Sequence, residues 1–253
     1  MATRMTNRIE REKEFHDQEF SENARVVVEK FYSIARTSRN YYLNTLLTNC
    51  KGKKVLEYGC GPGTYTCQLA QNGAFVTAID ISSVAIEKAR AQAHERGFSE
   101  HTSFHVMNAE ELDFPENHFD IICGVSILHH LNLPSAMQQV SRVLKDSGTA
   151  LFIEPLGHNF LINTYRALTP HLRSEDEHPL LKNDLKLISS FFNENRIAYF
   201  HLSSLLAVYF RNTRFFEKML SACDSLDRLL FLLPFLRLQA WQIVIELSHP
   251  KTT

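Results

Sequence analysis

Three glycines at alternate positions directly follow a short apolar run near residue 55, and this pattern restricts the possible folds more than any other. The run at 55–58 predicts a buried β-strand, and a helix is expected to begin near Thr64. Gly59, Gly61 and Gly63 lie between the two, and glycine lets a backbone turn sharply and approach a ligand closely. The segment therefore predicts a strand, a ligand-binding loop and a helix in direct succession.

From Lys53 onward, short β-rich runs alternate with helical stretches. Near-continuous apolar strands in such an alternation are typical of a parallel sheet covered by helices on both faces. Right-handed crossovers then produce a doubly wound, mainly parallel seven-stranded sheet of the α/β class. The predicted strands are 55–58, 74–79, 104–107, 121–125, 150–153, 197–210 and 242–247, and the clearest helices are 83–96 and 134–145.

The rest of the chain divides into an N-terminal segment and one insertion. Residues 1–50 carry a loose helical stripe and predict two helices, broken near 21–23, that form a lid or cap. Residues 51–253 are expected to form the main domain. Within it, 156–190 is polar and too long for a plain connector, which predicts a helical insertion that recognises substrate. The charged stretch 10–17 leaves two interpretations open, a lid over the site and a solvated helix with charge pairs.

Charge and composition exclude some classes of function. The formal net charge is −1 in 253 residues, whereas a protein that neutralises many phosphates of a nucleic acid should be clearly basic. The five cysteines include no CxxC pair, which favours a reducing compartment, and the charged start at 1–17 lacks the apolar core of a signal peptide. The apolar run 229–236 is too short to span a bilayer. A cytoplasmic protein that does not bind nucleic acid is therefore expected.

Acidic residues flank the glycine loop at two predicted strand ends. Glu57 precedes the loop and Pro62 removes one backbone donor from it, which suits a ligand with an amino group and a carboxylate better than a pyrophosphate. Asp80 ends the second strand, where a carboxylate is able to bind both hydroxyls of a ribose. The alternative for Asp80 is a helix N-cap, a role that Ser82 or Ser83 would also fill.

Two more positions extend this predicted site, since Ile81 is placed to pack on an adenine face and Asn108 to meet its amino group. In order, the motifs read E-x-G-C-G-P-G from 57, A-I-D-I-S from 78, N-A-E-E-L-D-F-P-E-N-H-F-D from 108 and S-I-L-H-H-L from 126. This series resembles the class I S-adenosylmethionine-dependent methyltransferases. It is most similar to their small-molecule branch, which includes quinone-biosynthesis methyltransferases. The resemblance covers about 53–155 and implies a Rossmann-like methyltransferase fold with S-adenosylmethionine as the cofactor.

The resemblance also implies roles for individual residues. Glu57 and Gly59 would hold the methionine end of the cofactor, while Gly61 and Gly63 would shape the loop. Asp80 would bind the ribose hydroxyls, Asn108 and Ala109 would meet the adenine, and Val125 would lie beside the cofactor. The family often has aspartate at Asn108, so one charge is lost there although a side-chain oxygen remains. The implied cofactor-binding residues are Glu57, Gly59, Gly61, Gly63, Asp80, Ile81, Asn108, Ala109 and Val125.

The methyl donor is already a strong electrophile, so a general base is needed only for an acceptor that is protonated. The candidate catalytic residues near the predicted strand ends are His129, His130, Glu154, His158 and His178. For His129 and His130 the alternative is a structural histidine bonded to backbone. For Glu154 it is an ion pair with Arg166 or Arg173. No metal is expected, because the spacing of His158, His171 and His178 fits no common ligand pattern.

The predicted function is methyl transfer to a small, partly lipophilic acceptor at oxygen, nitrogen or carbon. The alternatives are a protein or peptide methyltransferase, a binding module without catalysis, and a nucleotide-cofactor oxidoreductase, whose G-x-G-x-x-G spacing is missing. The apolar segment 226–241 is compatible with a pocket wall, a dimer face or contact with a membrane surface. The expected partners are a small-molecule substrate and, through 226–241, a membrane surface, with the chain as a monomer or homodimer.

Overall fold

The computed structural model describes residues 2–22, 33–170, 174 and 176–251, with only the backbone of 2–7 and 22. The helices are α1 (Ala2–Glu22), α2 (Arg36–Asn49), α3 (Thr64–Gln71), α4 (Ser83–Glu95), α5 (Leu133–Val143), α6 (Phe160–Leu168), α7 (Lys182–Ser190), α8 (Phe216–Leu230) and α9 (Pro234–Arg237). The strands are β1 (Lys54–Tyr58), β2 (Phe75–Asp80), β3 (Thr102–Val106), β4 (Phe119–Val125), β5 (Leu144–Pro155), β6 (Phe192–Phe200) and β7 (Gln242–Pro250). Short 3₁₀ helices cover Ser99–His101, Leu128–His130 and Ser203–Phe210.

The strands form one sheet in the order β3-β2-β1-β4-β5-β7-β6. β1 pairs in parallel with β2 and β4, β2 with β3, and β4 with β5. β7 runs antiparallel between β5 and β6. The predicted doubly wound α/β fold with a mainly parallel seven-stranded sheet is therefore confirmed.

Helices bury both faces of this sheet, because successive residues of a strand point to opposite sides. Val55 belongs to an apolar cluster with Leu46 of α2 and Leu69 of α3. Its neighbour Leu56 belongs to the cluster on the other face, with Met137 of α5. Since both faces are covered by apolar side chains, polar groups gather at the ends of the strands.

The prediction of one strand over 197–210 is wrong for its second half, because β6 ends at Phe200 and a 3₁₀ helix follows over Ser203–Phe210. The Asp227 carboxylate accepts hydrogen bonds from the backbone N–H groups of Leu202 and Ser203, at 3.0 and 2.6 Å. These donors are thereby removed from any strand ladder. An apolar run does not reveal such a cap, because the capping residue lies far away in the chain.

The segment after β5 contains α6 and α7, so the predicted helical insertion is present. Leu185 and Ile188 of α7 belong to the central core, and α7 is therefore part of the crossover from β5 to β6. His171 and Arg173 lie outside the described residues. Within the described parts of the chain, no helix combines the length and apolar character needed to cross a membrane.

Candidate active site

A cavity of about 190 Å³ lies between α1 and the carboxyl ends of β1, β2, β3 and β4. This edge of a doubly wound sheet, where the strand order reverses, is where ligands bind in such folds. A single buried water needs only about 10–15 Å³, so the space is large enough for part of an organic ligand. One face of α1 lines it, at 8–9, 12, 16 and 20, together with 59–62, 64–65, 79–81, 107–110, 125–127 and 130–131.

Two glycines of the loop after β1 are required by both conformation and space. Gly59 and Gly63 have φ angles of 75° and 83°, a region that favours glycine. A Cβ on Gly59 would lie 2.8 Å from Cδ1 of Ile127, and a Cβ on Gly63 would lie 2.8 Å from Cβ of Ala89. Both distances are well below the optimal separation of carbon atoms. The loop is therefore packed tightly against its neighbours, which leaves its backbone at the cavity wall.

Asp80 joins this loop to the end of β2. Its Oδ2 accepts a hydrogen bond from the backbone N–H of Gly61 at 2.8 Å, and its Oδ1 accepts one from Ser82 at 2.9 Å. The hydroxyl of Ser82 caps α4 by accepting from the N–H of Ala85 at 3.1 Å. Ser82 therefore fills the N-cap role, and Asp80 is held by backbone donors at the cavity wall.

Glu57, which precedes the loop, and Gly63, which ends it, do not line the cavity. Glu57 is 3% exposed and accepts a hydrogen bond from the hydroxyl of Thr66 in α3. Burial raises the pKa of Glu57 to about 8, against the Thr66 hydrogen bond and with a contribution from Asp80. At neutral pH this carboxyl is mostly protonated, so it supports the loop as a neutral group.

The segment after β3 is held by hydrogen bonds on both sides of Ala109. Asn108 Oδ1 accepts from the N–H of Glu110 at 3.0 Å, and the carbonyl of Ala109 accepts from the Tyr58 hydroxyl. Glu110 accepts from the N–H of Asn132 at 2.8 Å. The positions of 108 and 109 are therefore fixed by the sheet and by the start of α5.

Helix α1 covers the cavity and is attached at both ends. Near its start, Arg8 donates to the carbonyl of His130 at 2.8 Å and pairs with the buried carboxylate of Glu110. Near its end, Asp17 accepts a hydrogen bond from the Ser82 hydroxyl. The Phe20 ring lies 3.4 Å from where a Cβ on Gly61 would be. These contacts place α1 where the predicted lid would lie; the lid function itself stays a prediction.

A cluster of titratable groups lies where α1 meets the turn after β4. Glu12 Oε2 is 3.1 Å from Nδ1 of His130 and 3.5 Å from Nε2 of His16. Burial would raise the pKa of Glu12, but hydrogen bonds from His130, His16 and Ser174 hold it well below its usual range. Burial opposes a charge on His16, yet hydrogen bonds to Glu12 and Glu19 raise its pKa to about 9.

His130 differs from His16 in its protonation. Burial, together with the neighbouring His129, lowers the pKa of His130 despite the contact with Glu12. The rings of His129 and His130 lie 4.2 Å apart between centroids. The cluster therefore combines a charged imidazole on α1 with a neutral one on the sheet side, joined by one carboxylate.

Of the five candidate bases, His130 lines the cavity and the other four do not. Glu154 is fully buried, and its Oε1 accepts hydrogen bonds from the N–H groups of Ile127 and Leu128, both at 2.8 Å. Its Oε2 lies 2.7 Å from Nδ1 of His129. Glu154 therefore holds the turn that presents His130.

The remaining polar residues for which a role was predicted lie in the segment after β5. Nε2 of His158 accepts from the N–H of Lys182 at 3.1 Å, and the N–H of His178 donates to the carbonyl of His129 at 2.9 Å. Arg166 pairs with Glu177 at 2.6 Å. The catalytic roles of His158 and His178 stay predictions.

Several residues that line the cavity were not among the predicted site residues, although Glu12 and His16 lie in the stretch 10–17 for which a lid was one interpretation. The α1 residues Arg8, Glu12, His16 and Phe20 reach the site through contacts across more than sixty positions of the chain, such as Arg8 to Glu110 with a separation of 102. One local signal was present, because Glu12 and His16 are four residues apart and share a helix face. The other lining residues that were not among the predicted site residues are Ile9, Cys60, Pro62, Thr64, Tyr65, Ile79, Met107, Glu110, Ser126, Ile127 and Leu131.

Residues 55–148 match a methyltransferase domain. A ubiquinone biosynthesis O-methyltransferase from Coxiella burnetii (strain Dugway 5J108-111) is 32% identical over 115 residues, which are 46% of this chain and 48% of that protein. The corresponding enzyme of Azoarcus sp. (strain BH72) is 32% identical over 109 residues, 43% of this chain and 46% of that protein. The chain thus spans about half the length of the curated relatives it matches.

Solved structures share the fold at lower identity. Phosphoethanolamine N-methyltransferase 2 of Haemonchus contortus, in complex with phosphomonomethylethanolamine and S-adenosylhomocysteine, has a TM-score of 0.64 at 14% identity, over 93% of this chain and 60% of that chain. The [4+2]-cyclase SpnF has a TM-score of 0.55 at 18% identity, over 83% of this chain and 81% of that chain. Because a cyclase shares the fold, the fold alone does not decide the reaction. Residues 55–148 are therefore similar to a methyltransferase domain, and the chain shares its fold with solved methyltransferase structures.

Proposed function

We propose that this chain transfers a methyl group from S-adenosylmethionine to a small, partly lipophilic acceptor. The observation that carries the proposal is the cavity lining, in which the ends of four parallel strands contribute the glycine loop, Asp80, 107–109 and 125–126. These segments are the ones whose order resembles the family. They meet at one edge of the sheet although they lie up to about 70 positions apart.

The residues present fit this cofactor. Asp80 is an acceptor held by two backbone N–H groups, which suits a pair of ribose hydroxyls. Ile81, Met107 and Ala109 offer apolar surface for an adenine ring, and Asn108 lies beside them. The backbone of the glycine loop remains for the methionine end, with Glu57 supporting it from behind.

S-adenosylmethionine supplies an electrophilic methyl group, and the protein aligns the acceptor and excludes water. Helix α1 closes the cavity on the side away from the sheet. Among the candidate bases His130 is favoured, because it lines the cavity and burial keeps its imidazole neutral at neutral pH. Glu154 and His129 act on it through the turn that they hold.

A small acceptor is favoured over a protein because α1 lies across the cavity. A folded polypeptide would have to displace the contacts of Arg8 and Asp17 before it reached His130. Apolar lining at Ile9 and Leu131 suits a partly lipophilic compound. The names of the relatives agree, since ubiquinone biosynthesis and phosphoethanolamine methylation both concern small molecules.

The predicted membrane contact through 226–241 belongs to the same proposal. Leu229, Leu232 and Phe235 are 65, 68 and 70% exposed, beside the basic side chains of Arg228 and Arg237. An apolar surface flanked by positive charge suits an anionic bilayer. Sedimentation with phosphatidylglycerol vesicles should bring down the protein, and a Leu232→Ser, Phe235→Ser double variant should stay in the supernatant. Equal sedimentation of both proteins would contradict the contact.

Calorimetry followed by an acceptor screen tests the reaction. The purified chain should bind S-adenosylhomocysteine in a one-to-one ratio and should not bind NADH. With a donor labelled in its methyl group, label should enter solvent-extractable phenols, amines or quinols and not acid-precipitable peptides. Binding of NADH alone would refute the proposal, and label confined to peptides would replace the small acceptor by a protein.

A further inference from the structure

Three donor groups meet at the wall of the cavity where α1 faces the turn after β4. One ligand atom from each of Glu12, His16 and His130 lies within 4.8 Å of the other two. The carboxylate oxygen of Glu12 is 3.1 Å from Nδ1 of His130 and 3.5 Å from Nε2 of His16. Two imidazoles and one carboxylate form a donor set that binds zinc in many enzymes.

We propose that Glu12, His16 and His130 bind a divalent transition-metal ion of the zinc type. Zinc–ligand distances of 2.0–2.2 Å place neighbouring ligand atoms of a tetrahedral site about 3.4 Å apart, and the two distances from Glu12 straddle that value. Glu12 and His16 lie four residues apart on one face of α1, the spacing by which a helix offers two ligands to one ion. The third ligand comes from the sheet side.

Hydrogen bonds behind the ligands support this assignment. Nδ1 of His16 lies 3.4 Å from Oε2 of Glu19, and the second oxygen of Glu12, Oε1, accepts a hydrogen bond from the Ser174 hydroxyl at 2.6 Å. Metal-binding histidines almost always donate their other ring N–H to a carboxylate or carbonyl, which fixes the ring orientation. Glu19 stands in that position for His16, while Ser174 orients the carboxylate.

The same region contains a second possible group, formed by His129, His130 and Glu177. It is less suitable, because Glu177 already pairs with Arg166 at 2.6 Å and His129 with the fully buried Glu154 at 2.7 Å. The first group also lines the cavity with all three of its members. Three protein ligands leave coordination positions open, as in catalytic rather than structural zinc sites.

This site changes two expectations. No metal was expected from the sequence, because the spacing of the histidines after β5 fits no common ligand pattern, and the pair Glu12 and His16 lies far from them in the chain. Nδ1 of His130 cannot be both a metal ligand and a proton acceptor, so a bound ion would exclude that atom as the base. Two ligands on α1 and one on the sheet side also mean that an ion would attach α1 to the domain.

Metal titration of the full chain, without a histidine tag and after chelator treatment, tests the proposal. Zn²⁺ should bind in a one-to-one ratio by calorimetry, and Co²⁺ at the same site should give visible absorption bands typical of four or five ligands. Glu12→Gln, His16→Ala and His130→Ala should each weaken binding by roughly tenfold or more. The control His94→Ala, which removes an exposed histidine at the end of α4, should leave binding unchanged.

A second variant separates loss of a ligand from loss of structure. His16→Cys places a thiolate at the ligand position and should restore Co²⁺ binding with a sulfur-to-cobalt charge-transfer band, which a damaged α1 would not produce. Glu19→Gln should weaken binding less than His16→Ala. Absence of one-to-one binding, or equal affinity in His16→Ala and His94→Ala, would overturn the site. S-adenosylhomocysteine binding, measured separately, reports on the proposed function and not on this site.

Discussion

The two walls of the cavity are built in different ways. The sheet wall comes from loops that each follow a strand directly, and its key contacts, such as Gly61 to Asp80, join residues 19 positions apart. The opposite wall is α1, whose contacts with Glu110, His130 and Asp176 span 102, 118 and 165 positions. The first wall is encoded in local motifs, whereas the second exists only after the chain has folded.

This difference predicts different responses to substitution. The sheet wall lies at the end of buried strands, so damage there should affect cofactor binding and global stability together. Helix α1 adds polar contacts at its ends to a domain that already has its own core, so damage there should appear first as local opening. Substitutions in each wall therefore test whether the two walls are separable in this way.

The largest effect concerns Glu57 beneath the sheet wall. Its folded-state pKa of about 8 lies above the ordinary value of 4.5, so the folded protein binds this proton more tightly than the unfolded chain. Its contribution to stability is complete below pH 4.5 and is lost as the pH rises to 8. At about 1.4 kcal/mol per pH unit for one proton, the loss amounts to several kcal/mol.

Glu57→Gln isolates that contribution, because glutamine keeps an acceptor for Thr66 but does not titrate. Denaturant unfolding at several pH values measures how the free energy of unfolding changes with pH. Between pH 5 and 8 it should fall more steeply in the natural protein than in the variant, and the difference in slope should correspond to about one bound proton. Equal slopes in the two proteins would mean that Glu57 is already ionised in the fold at neutral pH.

The second effect concerns the ribose position. Asp80→Ala should weaken S-adenosylhomocysteine binding by about a hundredfold, or about 3 kcal/mol, because charge-assisted hydrogen bonds are worth about 1.5–3 kcal/mol each. The affinity of Asp80→Asn should lie between those of the natural protein and Asp80→Ala, because asparagine keeps a side-chain acceptor but loses the charge. Calorimetry measures both, with the exposed Asp113→Ala as a control of unchanged affinity. A small loss in Asp80→Ala would place the ribose elsewhere.

The fold could be predicted from the sequence because its signals are local. Strands such as β1 and β4 are buried on both faces and read as apolar runs, and the loops between them carry glycine or polar residues. The run 201–210 was misassigned because Asp227, which caps it, is distant in the chain. Local patterns therefore predicted the sheet, whereas the end of β6 was predicted wrongly because it depends on a long-range contact.

The candidate site divides along the same line. Asp80, Asn108 and Val125 line the cavity at positions that their motifs indicated. Glu154 and His129, which were candidate bases on the same reasoning, are buried and pair with each other at 2.7 Å. Arg8 carried no local signal at all. The order of the motifs predicts where the strands end. The direction of each side chain and the position of α1 over the cavity depend on packing between distant parts of the chain, which the motifs do not contain.

The third effect compares two glycines of similar conformation. Gly63→Ala faces both a φ of 83° and a Cβ contact of 2.8 Å with Ala89, whereas Gly97→Ala faces a φ of 75° and no atom of the described residues within 4 Å. The strain alone costs about 1 kcal/mol, and overpacking adds about 1–3 kcal/mol. Chemical denaturation should therefore show a loss of about 2–4 kcal/mol in the first variant and about 1 kcal/mol in the second. Similar losses would mean that α4 moves aside at no cost.

The smallest effect concerns α1, where two arginines offer a matched pair. Arg8 pairs with a Glu110 side chain that is 3% exposed, whereas Arg11 pairs with Asp176 while half of its own side chain is exposed. Arg8→Met leaves a buried carboxylate without its cation, which favours opening of α1 by about 2 kcal/mol. Arg11→Met loses only a screened surface pair, worth less than about 1 kcal/mol.

Amide hydrogen exchange along α1 measures this difference directly. Arg8→Met should speed exchange in α1 by roughly thirtyfold, while Arg11→Met should speed it by less than about fivefold. Exchange in β1 and β4 should stay the same in both variants, because those strands open only with the whole domain. If Arg8→Met accelerated exchange in the strands as much as in α1, the helix would belong to the same cooperative unit as the sheet, and the two walls would not be separable.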